Sequence, residues 1–365
     1  MKSKKINKIF LFTIFLMVIV GLAMFVSASL GILAKSADTF RAVLKSQLVL
    51  GLGLGLVGMY AALKINYKFW RKYSFFIFII ALLVTAAVFI PGVGSNRGTG
   101  ALRWITLGSF SFQPVEILKF GFVIFFAAWL SWVKNRVQNF RFGLLPLVAM
   151  LSVIALLLLN QPDTKSFILI AVTGLSMLFI SGVPFKYIFT FGLLTVFSLG
   201  VFAAFTPYLQ DRIKTFLDPS SDPQGASYQI QQSLIALGSG EILGRGYGQS
   251  IQKFSYLPEP QGDSIFAVVG EEFGFVGAVA LILLYLFFAL LGFRIANRAP
   301  DLFSRLLVSG IVILITAQSF MHIASVVGVL PLTGVPLPFM SHGGTSYMID
   351  LAAIGIVLQI SKFSA

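Results

Sequence analysis

The fold is decided by the apolar stretch that follows the basic N-terminus, IFLFTIFLMVIVGLAMFVSASLGILA at residues 9–34. A helix that crosses a bilayer needs about 20 mostly apolar residues, and this run exceeds that length. A basic head before an apolar run is also typical of a signal peptide, and Ser27-Ala28-Ser29 offers small residues for cleavage. Because the run is too long for a signal-peptide core, we predict a retained first transmembrane helix.

Nine further apolar runs follow, separated by short polar segments. They lie near residues 46–63, 74–90, 113–133, 143–160, 166–182, 187–205, 264–293, 306–328 and 346–361. The sequence therefore predicts an all-α polytopic membrane protein with about ten transmembrane helices. We expect residues 1–365 to form a single transmembrane domain.

The composition excludes several classes of protein. Of 365 residues, 57% are hydrophobic and 11% are charged, whereas a soluble domain carries about 25% charged residues. The absence of cysteine excludes disulfides, thiolate metal sites and cysteine nucleophiles. The two histidines, His322 and His342, lack the neighbouring ligands of a zinc site, so we predict structural roles for them.

The charged residues predict an orientation. The net charge of +14 is compatible with nucleic-acid binding, but the basic residues lie mostly in short segments between apolar runs. Most of them share a side with the N-terminus, so the positive-inside rule places both termini in the cytoplasm and we predict no nucleic-acid partner. The acidic residues fall mainly on the opposite side, where we expect the polar chemistry.

The longest segment between spans, residues 206–263, is predicted to be an extracytoplasmic loop between the seventh and eighth helices. Loops of this length are usually functional or disordered. Residues 227–237 have the pattern of a short amphipathic helix. Five glycines between residues 238 and 248 permit tight turns and close backbone approach, which indicates a compact loop packed on the bundle.

Asp263 ends this loop, directly before an apolar run. An aspartate in this position is typical of a helix N-cap. A carboxylate at a membrane–water boundary can also act as a general base. The two roles are compatible, and the sequence leaves both open.

Other charged residues fall at the outer ends of predicted spans. Glu116 and Lys119 are three residues apart and share a helix face, as a structural ion pair or as part of a site. Arg103 precedes them, either as an interfacial anchor or as a ligand for pyrophosphate, since its planar guanidinium binds two oxygens. Asp163 and Lys165 lie in a tight turn that is either solvated or functional.

Glu271 and Glu272 fall about two turns into the eighth predicted span. Adjacent residues point in different directions from a helix, so we expect one carboxylate to face protein and the other a water-filled crevice.

Four blocks of sequence, in this order, resemble the SEDS family (shape, elongation, division and sporulation), which includes FtsW, RodA and SpoVE. They are LRWI (102–105) with FQPVE (112–116), QPD (161–163), LPE (257–259) with DSIFA (263–267) and GEE (270–272), and TGVPLPF (333–339) with SHGG (341–344). The resemblance covers nearly the whole chain, and GEE favours the FtsW branch. The chain departs from the family pattern at Gln261-Gly262 and at His342, which bears on substrate fit.

The resemblance implies a peptidoglycan glycosyltransferase. Such proteins polymerise lipid II into glycan strands at the outer face of the plasma membrane, with inversion at the donor anomeric carbon and release of undecaprenyl pyrophosphate. Asp263 is then the catalytic base. The substrate-binding candidates are Arg103, Lys119, Glu116, Lys165 and Asp163.

The resemblance also implies partners, chiefly a class B penicillin-binding transpeptidase and other division proteins at the septum. It names no certain cofactor and leaves a divalent cation, Mg²⁺ or Mn²⁺, open. Two alternatives remain at this stage, a lipid II flippase or other transporter and a non-catalytic division scaffold.

Overall fold

The computed structural model describes residues 5–95, 102–107, 110–218 and 227–363. Its α-helices are α1 (Lys8–Leu33), α2 (Ala37–Lys45), α3 (Leu54–Lys64), α4 (Tyr67–Ala86), α5 (Pro114–Val133), α6 (Leu144–Asn160), α7 (Thr164–Ile180), α8 (Phe185–Ala204), α9 (Pro207–Leu217), α10 (Tyr228–Ser239), α11 (Gln252–Ser255), α12 (Ile265–Asn297), α13 (Leu302–Val326) and α14 (Gly344–Ser361). A π-helical stretch, Ser46–Gly53, joins α2 to α3.

Within the described residues, eight helical segments are long and apolar enough to cross a membrane. They include the continuous runs Ala37–Lys64, Tyr67–Phe89 and Pro114–Gln138. Two shorter apolar helices, α6 and α7, have 17 residues each. Each of the ten predicted runs falls on one of these segments. The predicted helical membrane class is confirmed, while the number of crossings stays a prediction.

Both ends of the described chain lie at the same end of the helical bundle. The Asn7 backbone N–H donates to Ser361 Oγ at 3.3 Å, close to the end of α14. Lys362 Nζ donates to the Leu63 carbonyl at 3.2 Å, at the end of α3. This arrangement is compatible with an even number of crossings, and both the number of crossings and the cytoplasmic side remain predictions.

The core of the bundle consists of α5, α13 and α14, which are buried along most of their length. In contrast, α8 is almost entirely exposed at the periphery, although it is strongly apolar. An apolar helix that packs against little protein is suited to contact lipid. The central helices carry many of the buried polar groups of the protein.

Helix α12 is interrupted at Gly274, which has φ 63° and ψ −162°. A side chain there would clash with the backbone of the glycine-rich loop. That loop donates to carbonyls released by the break, since the N–H groups of Arg245 and Gly246 reach the carbonyls of Glu271 and Glu272 at 3.0 and 2.9 Å. Irregular backbone at membrane depth is tolerated where protein satisfies it, and the predicted compact, packed loop is confirmed.

The predicted long loop contains α9, α10 and α11, and its residues 219–226 lie outside the described part of the chain. Helix α10 confirms the short helix predicted at residues 227–237. A small antiparallel sheet precedes α5 and was not predicted. Its strands are β1 (Gly94–Ser95), β2 (Trp104–Leu107) and β3 (Phe110–Phe112), in the order β1-β2-β3.

Candidate active site

Asp263 lies at the end of the long loop, two residues before the first residue of α12. The N-cap of α12 is Ser264, and no side chain caps the helix. The N-cap interpretation of Asp263 is therefore wrong. Asp263 is half-buried, and among the described residues none forms a hydrogen bond or close ion pair with its carboxylate. Its oxygens remain available to a ligand.

Lys165 and Asp263 meet on either side of Gly334. The Lys165 ammonium donates to the Gly334 carbonyl oxygen and interacts electrostatically with Asp263. Gly334 has φ +62°, and a Cβ there would lie 2.9 Å from Asp263 Oδ2 and 3.5 Å from Lys165 Nζ. Glycine therefore leaves open the space between the carboxylate and the ammonium group.

Asp163 is the N-cap of α7, the helix that carries Lys165. Its carboxylate accepts from the Ser166 backbone N–H at 3.4 Å and from Ser166 Oγ at 2.9 Å. Its side chain is buried, so the solvated-turn interpretation is wrong for this residue. By capping α7, Asp163 fixes the turn from which Lys165 extends.

Arg103 immediately precedes β2 and reaches the same turn. Its Nε donates to the Gln161 carbonyl at 3.0 Å, and its guanidinium also donates to the Pro162 carbonyl. Gln161 in turn donates to the Thr85 carbonyl at 3.0 Å, which ties the turn to α4. The small sheet thus delivers a guanidinium within electrostatic range of Lys165.

Arg212, on α9, is a cation of this region that sequence reasoning missed. Its guanidinium donates to the Leu332 carbonyl and lies 4.6 Å from the centre of the Tyr208 ring. Burial lowers the pKa of Arg212, and the nearby Arg103 acts in the same direction, whereas Asp263 opposes them. A basic residue on an amphipathic helix of the long loop was the available signal.

Two cavities of about 370 Å³ each flank the start of α10. Arg212 and Gln229 line one, together with Leu330 and Leu332. Glu259 and Tyr228 line the other. Burial and the neighbouring Asp263 raise the pKa of Glu259, although a hydrogen bond from Gln261 opposes them. Asp263 itself lines neither cavity, although Gln261, two residues before it, lines the second.

Glu116 and Lys119 form the buried ion pair that the sequence allowed, at 2.8 Å, with side chains 4% and 2% exposed. Lys119 also donates to Gln318 Oε1 at 2.7 Å, and Glu116 accepts from Ser346 Oγ at 3.0 Å. Gln318 Nε2 donates to the Pro336 carbonyl at 3.0 Å. The pair thus braces the loop that contains Gly334, but its hydrogen bonds do not reach Asp263 or Lys165.

Glu271 and Glu272 are both completely buried. The expectation that one of them faces a water-filled crevice is therefore wrong, because basic and hydroxyl side chains surround both.

His322, one of the two predicted structural histidines, contacts the Val335 carbonyl through Nδ1 at 2.7 Å. His342 stacks on Phe25 with ring centres 6.0 Å apart.

The charged groups around Asp263 are of both signs, since Glu259 is a further carboxylate beside it. Throughout the described ranges, no group of three or more His, Asp or Glu side chains could hold a metal ion. The neighbours of Asp263 include Lys165 and Arg212, which are cations. These two cations suit an anion, whereas Mg²⁺ is usually held by one or two carboxylates together with water and substrate phosphates.

Comparison with known proteins identifies the family. A family model described as "Cell cycle protein", for FtsW, RodA and SpoVE, matches residues 7–365. The chain belongs to the FtsW/RodA/SpoVE family. Its relatives in this family include the stage V sporulation protein E of Bacillus subtilis (strain 168), which is 36% identical over 349 residues and matches 96% of this chain and 95% of that protein.

A second relative in the family is named probable peptidoglycan glycosyltransferase FtsW and comes from Geobacter sulfurreducens. It is 38% identical over 341 residues, which cover 93% of this chain and 91% of that protein. The predicted resemblance to SEDS proteins is therefore confirmed, and it extends over nearly the full length of both relatives.

Solved structures of the family have the same fold. One chain comes from a structure described as the structural coordination of polymerization and crosslinking by a peptidoglycan synthase complex. It has a TM-score of 0.79 and 26% identity, and covers 98% of this chain and 97% of that chain. A mutant of the rod shape determining protein RodA of Thermus thermophilus has a TM-score of 0.71 and 25% identity, and covers 98% of this chain and 97% of that chain. The chain is therefore an integral membrane protein of this fold.

Proposed function

We propose that this protein is a peptidoglycan glycosyltransferase that polymerises lipid II at the outer face of the plasma membrane. The observation that carries the proposal is the half-buried carboxylate of Asp263, which faces Lys165 across the gap at Gly334. The names of the relatives support this activity. A lipid-linked donor needs a base and cations at the membrane surface, and this region supplies both.

In the proposed reaction, Asp263 accepts the proton of the acceptor sugar 4-hydroxyl while that oxygen attacks the donor anomeric carbon. The new C–O bond forms as the bond between the anomeric carbon and the pyrophosphate oxygen breaks. The leaving group takes the electron pair. Attack from the opposite face inverts the anomeric centre from α to β.

The departing undecaprenyl pyrophosphate gains negative charge, and preorganised cations stabilise such charge. We assign this role to Lys165, Arg103 and Arg212, which interact electrostatically with one another. Guanidinium groups suit phosphate oxygens because they donate in parallel pairs. Asp163 holds Lys165 in place through the cap of α7.

Glu116 and Lys119 have a different role in this proposal. Their charges already neutralise each other, and Lys119 is 2% exposed. We therefore assign them to the support of the loop at Gly334, through Gln318 and Pro336. This assignment replaces the substrate-binding role that the family resemblance implied for both residues.

The proposal includes a partner and a location. A solved relative comes from a complex that coordinates polymerization with crosslinking, which supports a class B penicillin-binding transpeptidase as the partner of this chain. The resemblance to FtsW supports a place among the division proteins at the septum. We assign no reaction step to Mg²⁺ or Mn²⁺.

Polymerisation of fluorescent lipid II by the purified protein in liposomes tests the proposal, with glycan strands separated on a gel. Wild type and Asp263→Asn are compared, each with and without a class B transpeptidase whose active serine is disabled. We expect Asp263→Asn to reduce the rate about 1,000-fold, the scale of a lost general base. Asp38→Asn is the matched control, because this aspartate is fully exposed on α2.

Each other outcome has a definite meaning. Polymer formation that survives Asp263→Asn would exclude this residue as the base. Absence of polymer from wild type with a bound transpeptidase would contradict the glycosyltransferase. Transport of labelled lipid II across the liposome would then identify a flippase, and its absence would leave a scaffold.

A further inference from the structure

A second group of charges is buried beside the candidate active site. Lys253 Nζ lies 2.6 Å from Glu272 Oε1, and both side chains are completely buried. Ser27 of α1 joins them, since it donates to Glu272 at 2.6 Å and accepts from Lys253 at 3.0 Å. Every group in this cluster has a partner, and the cluster connects α1, α11 and α12.

Glu271 extends the cluster to the backbone of the preceding loop. Its carboxylate accepts from Ser250 Oγ at 2.6 Å and from the backbone N–H of Ile251 at 2.9 Å. The Arg245 guanidinium lies 3.7 Å away at the more exposed edge. One carboxylate therefore fixes the chain just before α11, and its neighbour in sequence holds the lysine of α11.

These contacts close a segment of the chain on itself. Lys253 and Glu272 are 19 positions apart, and Asp263 lies midway between them. The first part of α12 follows Asp263 and ends at the break at Gly274, directly after these acids. The contacts at Lys253 and Glu272 therefore hold both ends of the segment that carries Asp263, independently of the second part of α12.

The energetic cost of the cluster points beyond simple stabilisation. A buried ion pair is often no more stabilising than apolar side chains of the same size, because both charges lose their hydration. Its advantage is directional, since charged hydrogen bonds define one geometry. A general base needs such definition, because a misplacement of about 1 Å can reduce a rate about 100-fold.

We propose that Lys253, Glu271 and Glu272 form an ionic clamp that positions Asp263 for proton transfer. The clamp does not touch substrate, so its residues are positioning residues. Its effect is to hold the Asp263 carboxylate at the correct distance from the acceptor hydroxyl and from Lys165. This inference rests on the proposed role of Asp263 as the base.

Small, neutral substitutions test the clamp with the least risk to folding. Ser250→Ala removes the hydroxyl that donates to Glu271, and Ser27→Ala removes the one that donates to Glu272. We expect each to lower kcat about tenfold with KM changed less than about twofold, the pattern of lost transition-state positioning. Thermal unfolding of the detergent-solubilised protein should change little.

Charge variants sharpen the test. Glu272→Gln should lower kcat about 100-fold, and Glu272→Asp should recover most of that loss because it keeps the charge. Glu241→Gln is the control, since Glu241 is an exposed carboxylate of the same loop. If Glu272→Gln does not fold, the two serine variants decide the matter.

The outcomes separate the clamp from the proposed function. A wild type that polymerises lipid II, with unchanged kcat in Ser27→Ala, Ser250→Ala and folded Glu272→Gln, would overturn the clamp. The clamp would also be overturned if kcat fell only in proportion to the fraction of folded protein, or if KM rose by as large a factor as kcat fell. If wild type makes no polymer, the proposed function fails, and amide hydrogen exchange then tests the clamp. Ser250→Ala should increase amide exchange across residues 256–263 and leave α13 unchanged. Unchanged exchange across residues 256–263 would refute the clamp.

Discussion

Two lysine–carboxylate groups, to which the family resemblance assigned the catalytic base and substrate-binding residues, differ in the folded protein. Glu116 and Lys119 form a closed pair at 2.8 Å, with side chains 4% and 2% exposed. Asp263 and Lys165 form an open group, in which Lys165 donates to a backbone carbonyl and Asp263 keeps its oxygens available. The residue types are the same, but their pairing and burial are not.

The difference distinguishes side chains that can take part in the reaction from side chains that support the fold. A base must have a lone pair that the acceptor hydroxyl can reach, and a cation that neutralises a leaving group must be able to turn towards it. The closed pair has neither property without breaking a buried salt bridge, which is costly. The open group has both, so we expect substitutions in the two groups to change different quantities.

The largest expected effect is on stability, in the closed pair. Lys119→Met should lower the free energy of unfolding by about 3–5 kcal/mol, because it leaves the Glu116 carboxylate buried without its counter-charge. The double variant Glu116→Gln/Lys119→Met should recover part of the loss. Denaturation in detergent measures both. A stable Lys119→Met protein that binds lipid II poorly would return Lys119 to the substrate site.

Lys165→Met should have the next largest effect, and on activity. We expect kcat/KM for lipid II to fall about 100-fold, as for loss of one group that stabilises transition-state charge. The unfolding temperature should stay near that of wild type, because Lys165 is only partly buried. Lys45→Met, at an exposed lysine of α2, is the control. A loss of stability without loss of rate would show that Lys165 is structural.

Gly334→Ala should close the gap within the open group. The added methyl group would lie 2.9 Å from Asp263 Oδ2, on a backbone with positive φ that disfavours alanine. We expect activity to fall about tenfold through displacement of Asp263 or Lys165. Gly192→Ala on α8, where a methyl group meets nothing within 4 Å, should be neutral. Equal activity in both variants would contradict an open site at this position.

The smallest effect concerns pH. The pKa of Glu259 is raised, chiefly by burial, so its ionisation opposes folding as pH rises above the ordinary value of 4.5. Glu259→Gln cannot ionise, and its free energy of unfolding should therefore increase relative to wild type over this pH range. Solvent screening keeps the change small because the side chain is exposed. A difference that shrinks with rising pH would show that another group dominates.

The sequence by itself determined the helical membrane class. Runs of apolar residues of sufficient length predict spanning helices without knowledge of tertiary contacts, because a backbone in lipid must satisfy its own hydrogen bonds. The same local reasoning located α10 and the packed glycine-rich loop. The blocks around Arg103, Asp163 and Asp263 also sufficed for the family, since they are contiguous in the chain.

Only the tertiary structure decided which charged groups are open and which are closed. Burial and pairing depend on residues far apart in sequence, such as Lys165 and Gly334, or Ser27 and Glu272. Local patterns therefore misjudged the pair Glu271 and Glu272, one of which was expected to face a water-filled crevice, and Asp263, for which an N-cap was one interpretation. They missed Arg212 altogether, because its role arises from α9 folding back over the chain before Gly334. Charge in a sequence identifies candidates, and packing decides which of them water and substrate can reach.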